Sequence, residues 1–525
     1  MSLEIKNRAI TEGSIVDLLD RSAQKSEGSL KLWSAKNPLQ NLSYGQIKEA
    51  TLGVAAYFES QGIRPGDRVI LWGQNCPEWV IAHFAALRMG GITVPFDVRA
   101  KSDFLGRVIE ATKPRSIIAG ASQIKELPAD CGIPVIAMER ISTLTTEPAT
   151  YPLNFRAKAD DPAEIVFTSG TTGNPKGAVL THQNILANIE AIQKVVRIKP
   201  EDKLLSILPL SHMFEMTAGL LVPVAEGAGV VYTDTLTPAT LLRAIHDEQI
   251  TCMATVPQVL QLFKRSIEQE VAKQGKQSQW DFFNRISRHL PLSMRRILFS
   301  SLHRKMGGHF DFFVCGGAPL DPSLAASWEN VGIKVVQGYG MTEASPVVTC
   351  DSISDRNHHY VGRPLPGVEV KIADDGEILV KGPNIMSGYW NNPSATAEVL
   401  DKDRWYYTGD LGSLENNRLK LHGRKKDMIV LPDGSNVYPE DVESVLKQYV
   451  RDAVVFGKEI KGRVVIHSVL LLENPDEKQI DIKALIRAAN ARLAPNQQIQ
   501  DWSIWPGEDF PRTPTLKVKR FEIIW

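Results

Sequence analysis

The chain has 525 residues, enough for two to four domains of about 150 residues. Hydrophobic residues make up 43%, which permits large cores and excludes wholesale disorder. Lys plus Arg and Asp plus Glu total 60 each, so the net charge is zero and no global charge points to nucleic acid as a partner. Cys76, Cys131, Cys252, Cys315 and Cys350 lie at least 35 residues apart, with no C-x-x-C, and read as reduced buried thiols rather than a zinc ribbon, redox motif or disulfide framework. The first residues carry acids throughout and lack a secretory apolar core. No stretch approaches the roughly 18 apolar residues of a spanning helix, so a soluble, cytoplasmic protein is expected.

In chain order, Gln46 to Gln61 reads as an amphipathic helix, and Arg68 to Trp72 as an apolar strand after a Pro65-Gly66 turn. Pro77 to Met89 reads as a helix with proline in its first turn, and Ile92 to Phe96 as a strand. Strands interleaved with helices at this pitch predict an α/β sheet of mostly parallel strands. Ile165 to Thr168 is a further apolar strand. It runs into a Ser/Thr/Gly loop ending at Lys176 and Gly177, with a helix expected from near Thr181. From about residue 360 the pattern changes: 368–372 and 378–380 flank Ala373-Asp-Asp-Gly376 as a β-hairpin. Beyond 427 come a helix from Pro439 (Val442, Val445, Leu446 and Tyr449), strands at 453–456 and 464–472, and a helix carrying Ile482, Leu485, Ile486, Ala489 and Leu493 on one face. The expected architecture is α/β. A large N-terminal domain of mixed and parallel sheets flanked by helices spans 1–423, with a β-rich subdomain near 360–423. A hinge at 424–426 joins it to a small mobile α+β domain, 427–525.

The loop from Thr168 to Gly177 is the richest in chemistry. Glycines let backbone N–H groups converge on an anion, the hydroxyls of Thr168, Ser169, Thr171 and Thr172 add donors, and Lys176 adds positive charge. It is not a Walker A loop, because Pro175 and Gly177 flank the lysine. The hydroxyl that would hold magnesium is missing, so a metal is expected elsewhere.

This loop resembles the phosphate-loop signature of the adenylate-forming superfamily, which includes acyl-CoA synthetases, luciferases and peptide-synthetase adenylation domains. Six further stretches are similar to the family's motifs, in order: Leu208 to Glu215 (LPLSHMFE), Gly316 to Leu320 (GGAPL), Gly338 to Glu343 (GYGMTE), Tyr407 to Asp410 (YTGD), Gly423 to Asp427 (GRKKD) and Pro511 to Arg520 (PRTPTLKVKR). The resemblance implies ATP-dependent conversion of a carboxylic acid to acyl-AMP with pyrophosphate release, then transfer to a thiol, with ATP, Mg2+ and CoA as cofactors. The phosphoryl step needs positive charge and oriented donors around the α-phosphate and the departing pyrophosphate.

By the same resemblance, Thr168, Ser169, Gly170, Thr171, Thr172, Gly173 and Lys176 hold phosphate. Thr342 donates to phosphate and Glu343 ligates magnesium. Tyr339, between Gly338 and Gly340, stacks on adenine while the backbone of Gly317, Ala318 and Pro319 reads its edge. Asp410 accepts the ribose hydroxyls, and Arg424 contacts ribose or phosphate. Lys517 bridges the substrate carboxylate and the α-phosphate, with Lys519 and Arg520 as solvated charge beside it. The family's domain alternation implies rotation about Lys426, which brings the loop around Gly434 toward the thiol.

HMFE (212–215) resembles the form found in long-chain acyl-CoA synthetases, as does the stretch 300–320. His212 is then expected to flank the acyl pocket, and a medium- or long-chain fatty acid is the expected substrate. Glu215 also admits a reading as anchor for a substrate amino group. An acyl-AMP ligase, a synthetase acting on a carrier-protein thiol, and a nucleotide-binding homologue without catalysis are the alternatives. Residues 282–310 hold Arg285, Arg288, Arg295, Arg296, Arg304 and Lys305 without an acid. They read as basic amphipathic helix, either a solvated face or a peripheral contact with anionic lipid.

Overall fold

A computed structural model describes residues 13–25, 28–33, 38–100, 102–128, 131–144, 155–168, 175–233, 235–460, 462–472, 481–513 and 517–523. The chain packs as two compact units, one of residues 1–369 with 381–406, the other of 370–380 with 407–525.

Two sheets form the first unit. In the smaller, seven strands run in the order Gly388–Tyr389, Lys176–Thr181, Pro162–Thr168, Ile92–Phe96, Arg68–Trp72, Ser116–Ala119 and Val135–Ala137. The run from Pro162–Thr168 to Val135–Ala137 is parallel, and the two strands at the opposite edge are antiparallel. The strands expected at 68–72 and 92–96 appear with those bounds. Ile70, Trp72, Val94, Phe96, Ile117 and Ile165 join one core with Leu105 and Val108 of the helix Ser102–Thr112. Near-continuous apolar sequence is what a parallel strand covered on both faces requires. Pairing of Ile92–Phe96 with Pro162–Thr168 is confined to Thr93 opposite Glu164, two residues before Pro95, which has no N–H to donate.

The larger sheet has nine strands, in the order Arg363–Pro364, Val347–Cys350, Lys334–Gly340, Phe312–Cys315, Cys252–Thr255, Lys203–Ser206, Gly229–Thr233, Ser29–Trp33 and Pro38–Ser43. From Lys334–Gly340 through Ser29–Trp33 every pairing is parallel. All these strands therefore end at one edge, and in open α/β sheets ligands bind outside that carboxyl edge. The segments that emerge there after Ser206, Cys315 and Gly340 are LPLSHMFE, GGAPL and MTE.

Residues 282–310, expected as basic amphipathic helix, are helical in three pieces. They fall into the end of Gln277–Ser287, then Leu292–Leu298 and Ser300–Lys305, with breaks at Pro291 and Phe299. Pro291 restricts Leu290 and so keeps the first helix, which ends at Ser287, separate from the second. Arg295 and Arg296 turn inward: Arg295 donates to the carbonyls of Leu290 (2.8 Å) and Glu329 (3.1 Å), and Arg296 to that of Phe310 (2.9 Å).

The second unit contains the expected hairpin, Glu369–Ile372 with Glu377–Lys381, in a four-stranded sheet with Tyr406–Glu415 and Arg418–Arg424. Asn416 and Asn417 both take positive φ, 51° and 58°, as a two-residue hairpin turn with right-handed strand twist demands. Farther on, Asp452–Ile460, Arg463–Leu471 and Asp501–Ile504 form a three-stranded sheet. The helices Pro439–Leu446 and Ile482–Asn490 cover it through Val442, Leu446, Ile486 and Ala489, the periodic positions of the sequence. The packing division lies between 406 and 407, earlier than the hinge expected at 424–426, because the four-stranded sheet groups with the C-terminal residues.

Candidate active site

Thr168 and Lys176 face each other in antiparallel register, so the Ser/Thr/Gly loop closes a β-hairpin. Ser169, Gly170, Thr171, Thr172 and Gly173, like the side chain of Thr168, lie outside the described residues. The sequence reading missed a strand here. Lys176–Thr181 intervenes, and the helix His182–Gln193 begins at its far end, about 20 Å of extended chain from the loop. Thr181 caps that helix by accepting from the Asn184 N–H at 3.1 Å, while the Asn184 Oδ1 accepts from the Thr181 N–H at 3.0 Å. The helix terminus therefore lies a strand's length away from the loop, whereas Lys176 stands at the loop's edge. Lys176 Nζ lies 5.4 Å from the centroid of the Tyr389 ring and 3.8 Å from Glu398 Oε2.

Tyr389 was invisible in the sequence. It sits on a two-residue strand and comes to the site through its pairing with Ala178. Its hydroxyl donates to Glu343 Oε1 at 2.9 Å, so one side chain links the loop lysine to the candidate metal ligand. Burial, then the charge of Glu343, pushes the phenols of Tyr389 and Tyr406 up, which keeps both as neutral donors. Glu343 itself is buried, in a short 3-10 turn with Thr342. The turn folds back because Gly340 has no side chain: a Cβ there would collide with the Pro346 carbonyl, which instead accepts Met341 N–H at 2.9 Å. Gly338 and the half-buried Tyr339 lead into it. Gly316 has a similar task, since a Cβ would stand 3.2 Å from the Phe214 ring. Gly317 takes φ of 76°, and Gly317 and Pro319 are exposed around a half-buried Ala318.

LPLSHMFE is held from three sides. Asn75, in the loop after Arg68–Trp72, donates to the Leu208 carbonyl (2.7 Å) and accepts from Leu210 N–H (2.9 Å). Asp97, just beyond Ile92–Phe96, accepts from His212 Nε2 at 2.8 Å. Burial raises the pKa of Asp97, but the hydrogen bond and charge of His212, with help from Arg99, outweigh it and hold the carboxyl below the usual range. Glu215 turns into the core, fully buried, where Ser206 Oγ donates to its Oε1 at 2.5 Å. Burial pushes its pKa up to about 8 against the opposing hydrogen bonds. Gly219, in the π-helical turn Met216–Leu221, leaves the room this carboxyl occupies. Asn75 and Asp97 carried no sequence signal, because sheet topology alone brings their loops to this motif.

In the second unit, Asp410 and Arg424 are directly opposite in the register of Tyr406–Glu415 with Arg418–Arg424, and Arg424 Nε donates to Asp410 Oδ1 at 2.7 Å. Lys425 is tied to Asp375 (2.6 Å) and Glu377 (2.9 Å), whereas Lys426 is exposed. Gly434, φ 81°, turns the chain between Ile429–Val430 and Asn436–Val437. Lys517 accepts Thr513 N–H at its carbonyl (2.7 Å) and donates its own N–H to Thr513 Oγ1 (3.1 Å), which sets its backbone against that of Thr513. The residue is exposed as a whole. Enclosure of its ammonium, then the nearby Arg424, lowers its pKa, while Asp410 works the other way. Lys519 and Arg520 are not the solvated charge expected. Lys519 pairs with Glu522 at 3.0 Å, and Arg520 donates to Glu443 Oε1 (2.6 Å) and the Val455 carbonyl (2.9 Å), tying the tail to the domain core.

The model of the AMP-binding enzyme family matches residues 19–390, and that of the AMP-binding enzyme C-terminal domain matches 426–524. Over 538 aligned positions the chain is 30% identical to the long-chain-fatty-acid–CoA ligase FadD15 of Mycobacterium bovis, covering 90% of this chain and 88% of the other. It is also 30% identical to a feruloyl-CoA synthase of an Amycolatopsis species, over 78% of each chain. The structure of O-succinylbenzoate CoA synthetase (MenE) from Bacillus subtilis, in complex with ATP and magnesium ion, matches with a TM-score of 0.78 and 26% identity, over 96% of this chain and 98% of that one.

Proposed function

We propose, on the premise that this chain belongs to the AMP-binding enzyme family, that its acid substrate is a medium- or long-chain fatty acid. The family's chemistry makes it an acid–thiol ligase that uses ATP and CoA. In the first step a carboxylate oxygen attacks the α-phosphorus and pyrophosphate leaves. In the second the CoA thiol, giving up its proton, attacks the acyl carbon and AMP leaves.

The observation that carries the fatty-acid reading is the orientation of Glu215. An acidic anchor for a substrate amino group has to face the substrate, and this carboxyl is buried and bonded to Ser206. The motif thus offers an incoming acid His212, Phe214 and apolar surface. Fatty-acid ligases among the relatives support the same reading.

We assign Lys176 and the hairpin loop to the phosphates, Thr342 to phosphate donation, and Tyr339 with the backbone at 316–319 to adenine. Asp410 and Arg424 take the ribose, and Lys517 the carboxylate and α-phosphate during adenylation. The chain then swivels at Lys426, and the turn at Gly434 serves the thiol step. Tyr389 holds one oxygen of Glu343, which leaves Oε2 as a donor for a cation. No cluster of three or more His, Cys, Asp or Glu side chains forms a metal cage among the described residues. A single carboxylate completed by phosphate oxygens is a usual arrangement for magnesium. When bound, that ion offsets triphosphate charge.

Residues 282–297 supply a surface for meeting the substrate at its source. Phe282, Ile286, Met294 and Ile297 are 56%, 37%, 50% and 73% exposed, beside exposed Arg285 and Arg288. Apolar wedges between cations suit an anionic bilayer. No helix among the described residues is long and apolar enough to cross a membrane.

The deciding experiment measures pyrophosphate release with a panel of fatty, aryl and amino acids, with and without CoA. Release strongest with fatty acids of six or more carbons (roughly the medium-chain range and beyond), and thioester only when CoA is present, is the expected result. Preference for ferulate-like acids overturns the substrate, and acyl-AMP that CoA does not consume but a carrier protein does overturns the acceptor. For the surface, co-sedimentation with phosphatidylglycerol vesicles should fall about thirtyfold on Arg285→Ala/Arg288→Ala. Unchanged sedimentation of that variant removes the lipid contact.

A further inference from the structure

We infer that Asp97 is a positioning residue that fixes the tautomer and ring orientation of His212, leaving Nδ1 as the nitrogen presented to the acyl substrate. The inference rests on the reading of His212 as a wall of the acid-binding site.

The geometry leaves little freedom. Asp97 Oδ1 accepts the N–H of Arg99 at 2.7 Å, an Asx-type turn within its own loop. That fixes which oxygen is free, and the free one, Oδ2, meets His212 Nε2 at 2.8 Å. A carboxylate oxygen only accepts, so Nε2 has to carry the proton in this contact. In the neutral ring Nδ1 is then the lone-pair nitrogen. Asp97 is almost buried at 9% exposure while His212 keeps 33%, so the anchor is enclosed and the imidazole stays accessible. Backbone at Leu208 and Leu210, clamped by Asn75, completes the support from the other sheet's loops.

The same geometry makes Asp97→Asn a sharp probe. Arg99 N–H still requires an oxygen at the Oδ1 position, which forces the new amide nitrogen toward His212. An amide N–H facing Nε2 makes that nitrogen an acceptor and moves the ring proton to Nδ1. The structure of the loop is kept while the tautomer is inverted.

The test is nitrogen-15 NMR of histidine-labelled full-length protein, wild type against Asp97→Asn, paired with steady-state kinetics. The expected spectrum shows His212 protonated at Nε2 in the wild type and at Nδ1 in the variant. The variant should lose about tenfold in kcat/KM for the acid, with KM for ATP unchanged. In a His212→Ala background the substitution should have no further effect, since its action runs through the ring. An unchanged tautomer, or an equal loss in the His212→Ala background, overturns the inference. Should the wild type release no pyrophosphate with any acid, the ligase reading fails while the tautomer result still decides the positioning claim.

Discussion

In the first unit, Tyr389 and Glu343 lie 46 residues apart and meet only because separate strands of two sheets bring them together. In the second, Asp410 and Arg424 belong to one hairpin whose register places them opposite each other. The first arrangement depends on long-range packing and on glycines that allow backbones to touch; the second is nearly complete once a local turn forms. Lesions in the first unit should therefore spread through the site, while lesions in the second should act on one step of the reaction.

The largest effect should come from the second unit. Lys517→Ala is expected to lower acyl-AMP formation about a thousandfold while leaving the use of preformed acyl-AMP intact. Separate assays of the two half-reactions decide it, and equal losses would show that Lys517 is not specific to adenylation. Tyr389→Phe tests the spreading expected of the first unit. Loss of one hydrogen bond to a carboxylate should cost about tenfold to thirtyfold in pyrophosphate release and raise KM for ATP. A wild-type KM would mean that Lys176 and Glu343 act independently of the ring between them. Lys426→Pro should slow the thiol step about tenfold relative to adenylation, and parity between the steps would remove the swivel.

The smallest and broadest effect concerns stability. Glu164 is fully buried, 3.6 Å from His83, and burial pushes its pKa up to about 8. An acid whose folded pKa exceeds its unfolded value of 4.5 binds more protons in the native state, so stability falls as pH rises from about 4.5 to about 8 and then levels. His83, lowered to about 3 by burial and then by His182, acts in the opposite sense, losing stability as pH falls through 6.5 toward 3. Glu164→Gln should flatten the alkaline fall alone, seen by urea unfolding at pH 5 and pH 8. A variant with the wild-type slope would place the ionisation elsewhere.

Much of the framework was legible because burial writes itself into composition. Arg68 to Trp72, Ile92 to Phe96 and the C-terminal helices appear where apolar residues recur at strand or helix period. The strand after the Ser/Thr/Gly loop was not legible, since Lys-Gly-Ala-Val-Leu-Thr becomes extended through pairing on both sides, a tertiary effect on a short segment. The basic character of 282–310 was legible as a count of charges, but not the inward turn of Arg295 and Arg296, which depends on carbonyls at Leu290, Glu329 and Phe310. Candidate residues within motifs could be named from those motifs. Tyr389, Asn75 and Asp97 lay beyond them because each owes its place to neighbours remote in sequence.

Pro95 acts as a zip-stop. It withdraws a donor from the ladder of Ile92–Phe96 with Pro162–Thr168, whose pairing stops at Thr93 although the strands stay side by side. Beyond that point the first strand runs on to Asp97, beside His212, and the second to Thr168, opposite Lys176. With no ladder bond there, a small shift of the Asp97 loop need not be passed on to the strand that leads toward Lys176.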